Sequence, residues 1–318
     1  VSVGIGLFIA FIGLQNAGLA VDSATLVTIT SFTENFHTSG ICAILALVGL
    51  LIMAALHIYR VKGAILFGIL TTWVLGMLCE VIGLYVPDAA AGYYTLFPTM
   101  SMTDFSKLGL TLGQCFTVDL DAVGIVNFLI VILSFLFVDL FDTLGTLIGV
   151  STKANMLDEE GRLPQIKPAL MADAVATTAG AVLGTSTVTT FVESASGVEA
   201  GGRTGLTSFT CAIAFLACIF LAPVAAIIPA AATSSALIYV GVLMMTGLKK
   251  INFDDLSVCV PVALMLLAMP VSGSIGHAIG IGIISYSVIK VCTGKAKEVS
   301  ALTYVIAAIF LVKFFLAV

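Results

Sequence analysis

Apolar runs of membrane-crossing length recur along nearly the whole chain, and they leave no room for a water-soluble core. A bilayer interior of about 30 Å takes about 20 apolar residues per helix. By that ruler ten segments qualify, near residues 3–21, 41–59, 63–86, 122–150, 168–186, 205–229, 233–248, 256–273, 275–292 and 300–318. Their connections are short apart from 22–40, 87–121 and 151–167. Only 10% of the 318 residues are charged, against about 25% in soluble domains. So thin a charged surface excludes a soluble enzyme. A net charge of −5 with no basic block excludes a nucleic-acid binder. The seven cysteines include no CxxC pair and lie mostly inside apolar runs, so neither a disulfide framework nor a zinc site is expected. The sequence predicts an all-α polytopic membrane protein of about ten spans, surrounded by a lipid bilayer.

Lysine and arginine set its orientation, because cytoplasmic loops carry the excess of both. With these spans alternating and the broken span at 184–204 described below counted as a further crossing, 11 of the 13 basic residues fall on one side: Arg60, Lys62, Lys153, Arg162, Lys167, Arg203, Lys249, Lys250, Lys290, Lys295 and Lys297. The opposite side holds only Lys107, and Lys313 sits in the last run. This predicts a cytoplasmic 151–167 loop and an external 87–121 segment, the latter carrying Asp88, Asp104, Asp119 and Asp121. The chain opens inside an apolar run, VSVGIGLFIAFIGLQNAG, without an initiator Met, a basic leader or a cleavage site. The expectation is a piece of a longer protein.

Residues 184–197, GTSTVTTFVESASG, do not read as an ordinary helix. Alternating Thr and Val favour an extended backbone, and the small residues of ESASGVEAGGR suit a short half-helix. Non-helical backbone at membrane depth persists only where protein or a water-filled cavity satisfies it. A broken, polar span therefore points to a transporter's binding site. A polar external loop is the alternative.

Carboxylates inside apolar runs carry the chemistry, since each is costly in lipid unless paired or facing water. Asp139 and Asp142 in FLFVDLFDTLGTLIGV share one helical face, with Thr146 one turn beyond Asp142. They read as a substrate or proton site, or else as a structural hydrogen bond between helices. Glu193 stands at the start of the half-helix, where unpaired N–H groups favour a carboxylate or a polar substrate; a plain helix cap is the alternative. Glu199 and Arg203 are spaced to pair, Asp173 reads as an interfacial cap, and Glu80 could snorkel to the outer surface. His37, His57 and His277 are isolated. No metal, cofactor or enzymatic nucleophile–base motif is expected.

The block DLFDTLGTLIGVSTKANMLDEEGRLPQIKPALMADAVATTAGAVLGTSTVTTFVESASGVEAGGRTGLTS, at 139–208, resembles the purine permeases of the nucleobase:cation symporter-2 (xanthine/uracil permease) superfamily. It is most similar to the AzgA-like adenine/guanine/hypoxanthine branch, and GIGLFIAFIGLQNAG resembles that branch's fifth span. The resemblance implies the C-terminal part of a fold of two inverted repeats of seven spans. Residues 1–86 would be gate-domain spans five to seven, 87–121 an extracellular segment and 122–229 core spans eight to eleven. Residues 230–293 would be gate spans twelve to fourteen, and 294–318 an extra hydrophobic helix. A short strand at 185–190, in the broken span, would pair with one in the first four spans, which this chain lacks. By resemblance Asp142 is the acid of span eight, and Thr146 stands where uracil- and xanthine-type relatives often have histidine. Glu193 is the span-ten acid that contacts the base, with Thr190 and Phe191 beside it as substrate contacts. Asp142 with Asp139 would couple the proton. The implied function is purine nucleobase uptake by proton symport and alternating access in the cell (plasma or inner) membrane. Na+ is the other coupling ion the family pattern allows, and a gate-domain homodimer is the implied assembly. The competing readings are an anion transporter of the related sulfate-transporter fold, and a channel or inert membrane subunit.

Overall fold

The structure, a computed structural model, describes residues 1–24, 27–33, 35–88, 92–97, 108–117, 124–160, 162–191, 194–199, 201–225 and 228–316. It is mostly helical. In chain order the helices are α1 (Ser2–Asn16), α2 (Ile41–Ile58), α3 (Ala64–Ile82), α4 (Leu108–Thr111), α5 (Ile125–Lys153), α6 (Ile166–Leu183), α7 (Ser194–Glu199), α8 (Gly205–Ala225), α9 (Ala230–Met244), α10 (Leu256–Ser272), α11 (Ile275–Cys292) and α12 (Ala301–Leu316). Among the described residues six helices are long and apolar enough to cross a membrane: Phe36–Ile58, Ala64–Ile82, Asn127–Thr152, Ile166–Leu183, Ala230–Lys249 and Ile275–Cys292. Four more apolar helices are shorter, Val3–Asn16, Gly205–Phe220, Leu256–Ser272 and Ala301–Phe315. Each of the ten apolar runs overlaps one of these helices, and six of the helices are of spanning length among the described residues.

The strand expected at 185–190 is not among the described strands. The described residues contain one two-stranded antiparallel hairpin, and it lies at β1 (Ala20–Asp22) and β2 (Val27–Ile29), with Val21 opposite Thr28. Residues 184–191 are irregular and join no sheet.

The chain divides into two compact units. The unit of residues 8–104 and 202–243 is built on close helix crossings at small residues. A Cβ added to Gly13 of α1 would lie 3.0 Å from the Ile238 N and 3.1 Å from the Ser234 O of α9, so the two backbones nearly touch. A Cβ at Gly49 of α2 would meet the Thr72 hydroxyl of α3, and would lie 2.9 Å from the Ser235 Oγ of α9. At one end of this unit Ile41, Leu45, Tyr85, Leu96 and Ala231 form an apolar cluster. Residues 92–97 are tied down over it. Glu80 accepts from the Thr95 hydroxyl and from the Leu96 N–H, both at 2.7 Å. Trp73 Nε1 donates to the Leu96 carbonyl at 2.8 Å, and the Tyr85 hydroxyl to the Tyr94 carbonyl at 2.7 Å. Glu80 therefore turns onto backbone and hydroxyl donors instead of snorkelling to water.

The unit of residues 1–7, 105–201 and 244–318 holds α4 to α7 and α10 to α12. In α10 and α11 the capping chemistry is local. The Asp255 carboxylate accepts from the Ser257 N–H at 2.9 Å, and the Ser274 hydroxyl from the His277 N–H at 3.3 Å. Hydrogen bonds from the Ser257 hydroxyl and N–H hold Asp255 below the ordinary carboxylate range. Pro261 and Pro270 sit inside α10, as membrane helices tolerate when neighbours satisfy the freed backbone.

Candidate functional site

Three pieces of one unit converge: α5, α6 and the stretch 184–191. The break begins at Gly184, which caps α6 at φ +78°, a conformation that a side chain would strain. The chain then runs non-helically to Phe191, and α7 starts at Ser194, whose N–H donates to the Phe191 carbonyl at 3.2 Å.

Among the described residues the stretch pairs with no strand and is held by threonines. The Thr187 hydroxyl donates to Asp139 Oδ1 of α5 at 2.6 Å. The Thr177 hydroxyl of α6 donates to the Val188 carbonyl at 2.9 Å and lies 3.3 Å from the Thr187 hydroxyl. Thr143 of α5, with no exposed surface, donates to Asp173 Oδ2 of α6 at 3.2 Å. Its oxygen lies 3.0 Å from the Thr189 hydroxyl; with the Thr143 proton directed at Asp173, Thr189 is the donor of that contact. Thr187 and Thr189 thus both reach α5 while the carbonyl between them reaches α6. That is the period-two alternation of an extended backbone.

The candidate residues from the sequence fall as follows. Asp139 is half-buried and bonded to Thr187. Asp142 is half-buried, with Asp139 and Asp173 as its electrostatic neighbours, and its carboxylate has no hydrogen-bond donor among the described residues. Thr146 is buried and returns its proton to its own helix, at 2.9 Å from the Asp142 carbonyl and 3.1 Å from the Thr143 carbonyl. Thr190 is half-buried in the break, and Phe191 is exposed beside it. Glu193 lies outside the described residues, as does the Glu199 side chain of the expected pair with Arg203. Asp173 is not the interfacial cap that the sequence suggested: it joins the threonine network through Thr143. Thr143, Thr177, Thr187 and Thr189 had no separate signal. The i,i+4 pairs Asp139/Thr143 and Asp173/Thr177 would have flagged two facing polar stripes.

Comparison with known proteins decides the family. A family model described as "Permease family", with the short name Xan_ur_permease, matches residues 1–269. The chain belongs to the permease family. It is 38% identical over 315 residues to the adenine permease AdeP of Escherichia coli K12, covering 98% of this chain and 65% of that relative. To the guanine/hypoxanthine permease PbuO of Bacillus subtilis 168 it is 40% identical over 319 residues, covering 99% of the chain and 69% of PbuO. To PbuG of the same organism, also a guanine/hypoxanthine permease, it is 39% identical over 315 residues, covering 99% and 67%. The chain spans about two thirds of the length of these relatives.

This permease is a multi-pass membrane transporter and not an enzyme. Its cluster is rich in acceptors and hydroxyls. Three carboxylates and a row of threonines can receive N–H donors and offer O–H donors in return. Of these three, Asp142 is the carboxylate without a hydrogen-bond donor among the described residues.

Proposed function

We propose that the permease takes up purine nucleobases of the adenine/guanine/hypoxanthine class, coupled to protons, by alternating access. The observation that carries the reading is the break at 184–191, pinned between two acid-bearing helices, with the neighbouring Asp142 carboxylate lacking a hydrogen-bond donor among the described residues. The relatives' names, adenine permease and guanine/hypoxanthine permease, supply the substrate class. A purine ring presents neutral N–H donors and ring-nitrogen acceptors. Carboxylates receive the donors, and hydroxyl and backbone donors at the break answer the acceptors. In this reading Glu193 contacts the base, Thr190 and Phe191 line its site, and Thr146 closes the turn behind Asp142. The coupling proton has its carrier in the Asp139–Asp142 pair. Residues 122–229 would form the core and 1–86 with 230–293 the gate of an inverted-repeat fold, in the cell membrane.

The two acids separate by experiment in the full-length protein. Glu193→Gln exchanges a charge-assisted acceptor for a neutral amide, a loss of about 1.5–3 kcal/mol when buried, so purine Kd rises roughly ten- to a hundredfold. Asp142→Asn keeps binding within a few-fold by the same arithmetic but abolishes accumulation against a gradient. Unchanged affinity in Glu193→Gln, or continued accumulation in Asp142→Asn, removes the corresponding role.

A further inference from the structure

Helix α12, an addition to the fourteen-span plan by resemblance, is wedged into the unit that carries the site. Phe310 retains 2% of its surface exposed. Its ring fills a notch at Gly280 of α11, where an added Cβ would lie 2.7 Å from the Phe310 Cδ1 and 3.2 Å from the Phe314 Cε2. The Phe310 ring also packs 5.8 Å, centre to centre, from Phe137 of α5. One turn along α11, a Cβ on Gly276 would lie 2.9 Å from the Val138 Cγ2 of α5. The His277 ring sits 5.7 Å from Phe314. The start of α12 is tied as well: the buried Lys290 of α11 pairs with Glu298 at 2.8 Å, and the Tyr304 hydroxyl donates to the Ala296 carbonyl at 3.0 Å.

Phe137 and Val138 are the two residues before Asp139. Whatever fixes them fixes the rotation of the turn that presents Asp139 and Asp142. In a close-packed contact a side chain has few alternative arrangements, so a ring seated between Gly280 and Phe137 sets how α5 lies on α11. We propose that α12 positions the acid-bearing turn of α5, with Phe310 as the positioning residue. It keeps Asp139 within reach of Thr187 and leaves Asp142 open to the break. The inference rests on the purine reading of that site.

Purine binding at equilibrium to the purified full-length protein tests it, alongside thermal unfolding of each variant. Phe310→Ala empties the notch, and Kd should rise about fivefold, within the range that packed networks transmit; Phe310→Leu fills part of it and should raise Kd less. Gly280→Ala drives a methyl into the ring and should also raise Kd. In Gly280→Ala/Phe310→Leu the methyl and the smaller side chain share the notch, so affinity should return toward wild type. Lower unfolding temperatures with unchanged Kd in Phe310→Ala and Gly280→Ala would show that α12 only stabilises, and overturn the proposal. If Phe310→Ala does not fold, Phe310→Leu and Gly280→Ala decide on the same criterion. Purine binding by wild type with all variants unchanged sinks the role of α12 alone, whereas no purine binding by wild type sinks the purine reading and this inference with it.

Discussion

Thr143 joins the two acid-bearing helices to the break: it is fully buried, donates to Asp173 and accepts from Thr189. Thr143→Val keeps the shape and removes both bonds. Leaving buried polar partners unmade costs about 1–3 kcal/mol, so the unfolding midpoint in detergent should fall, while Thr143→Ser should keep most of the stability. An unchanged midpoint in Thr143→Val would mean that the network does not hold the site. At this scale the sequence reveals acids better than hydroxyls. Asp139 and Asp142 stand out because a carboxylate in an apolar run demands an explanation. A threonine in a membrane helix can satisfy itself on its own backbone, as Thr146 does on Asp142, so Thr143 and Thr177 are visible only as the i,i+4 neighbours of Asp139 and Asp173. Asp173 reads as a cap in sequence because it follows closely on the basic 151–167 loop, and only the approach of α5 shows its partner.

At the scale of elements the break is legible and its strand is not. Gly184 and the Thr-rich run announce the end of a helix, but strand pairing depends on a partner that local sequence does not contain. The β1–β2 hairpin has no sequence signature, because its strands have three residues each and Val27–Ile29 is exposed, so no buried alternation marks it. The connection before α12 carries a pH prediction. The hydrogen bond from Lys290, aided by the Lys290 and Lys295 charges, holds Glu298 below the ordinary carboxylate range. A carboxylate whose folded pKa is depressed adds stability above its unfolded pKa and loses it as pH falls through the folded value. Wild type should therefore unfold at a higher temperature than Glu298→Gln at neutral pH, and the gap should close as the pH is lowered through the carboxylate range. A gap that persists undiminished in acid would show that the ion pair is not its source.

At the scale of the whole molecule, the ten apolar runs and the basic-residue asymmetry predict that 151–167 lies inside and 87–121 outside. In a background without native cysteines, Tyr94→Cys should react with an impermeant thiol reagent on intact cells, and Glu159→Cys only after permeabilisation. Labelling of Glu159→Cys on intact cells would reverse the topology. Apolar length in sequence says less about how far each helix runs, because left-handed glycines end several of them: Gly83 caps α3, Gly184 α6 and Gly273 α10. Substrate class is the central claim, and uptake measures it most directly. Cells devoid of their own purine permeases would express the full-length protein and receive radiolabelled adenine, guanine or hypoxanthine, with excess unlabelled purine, uracil or sulfate as competitors. At least one of the three purines should accumulate above its external concentration, blocked by unlabelled purine and indifferent to uracil and sulfate. Absence of purine accumulation, or transport of sulfate in its place, would contradict it.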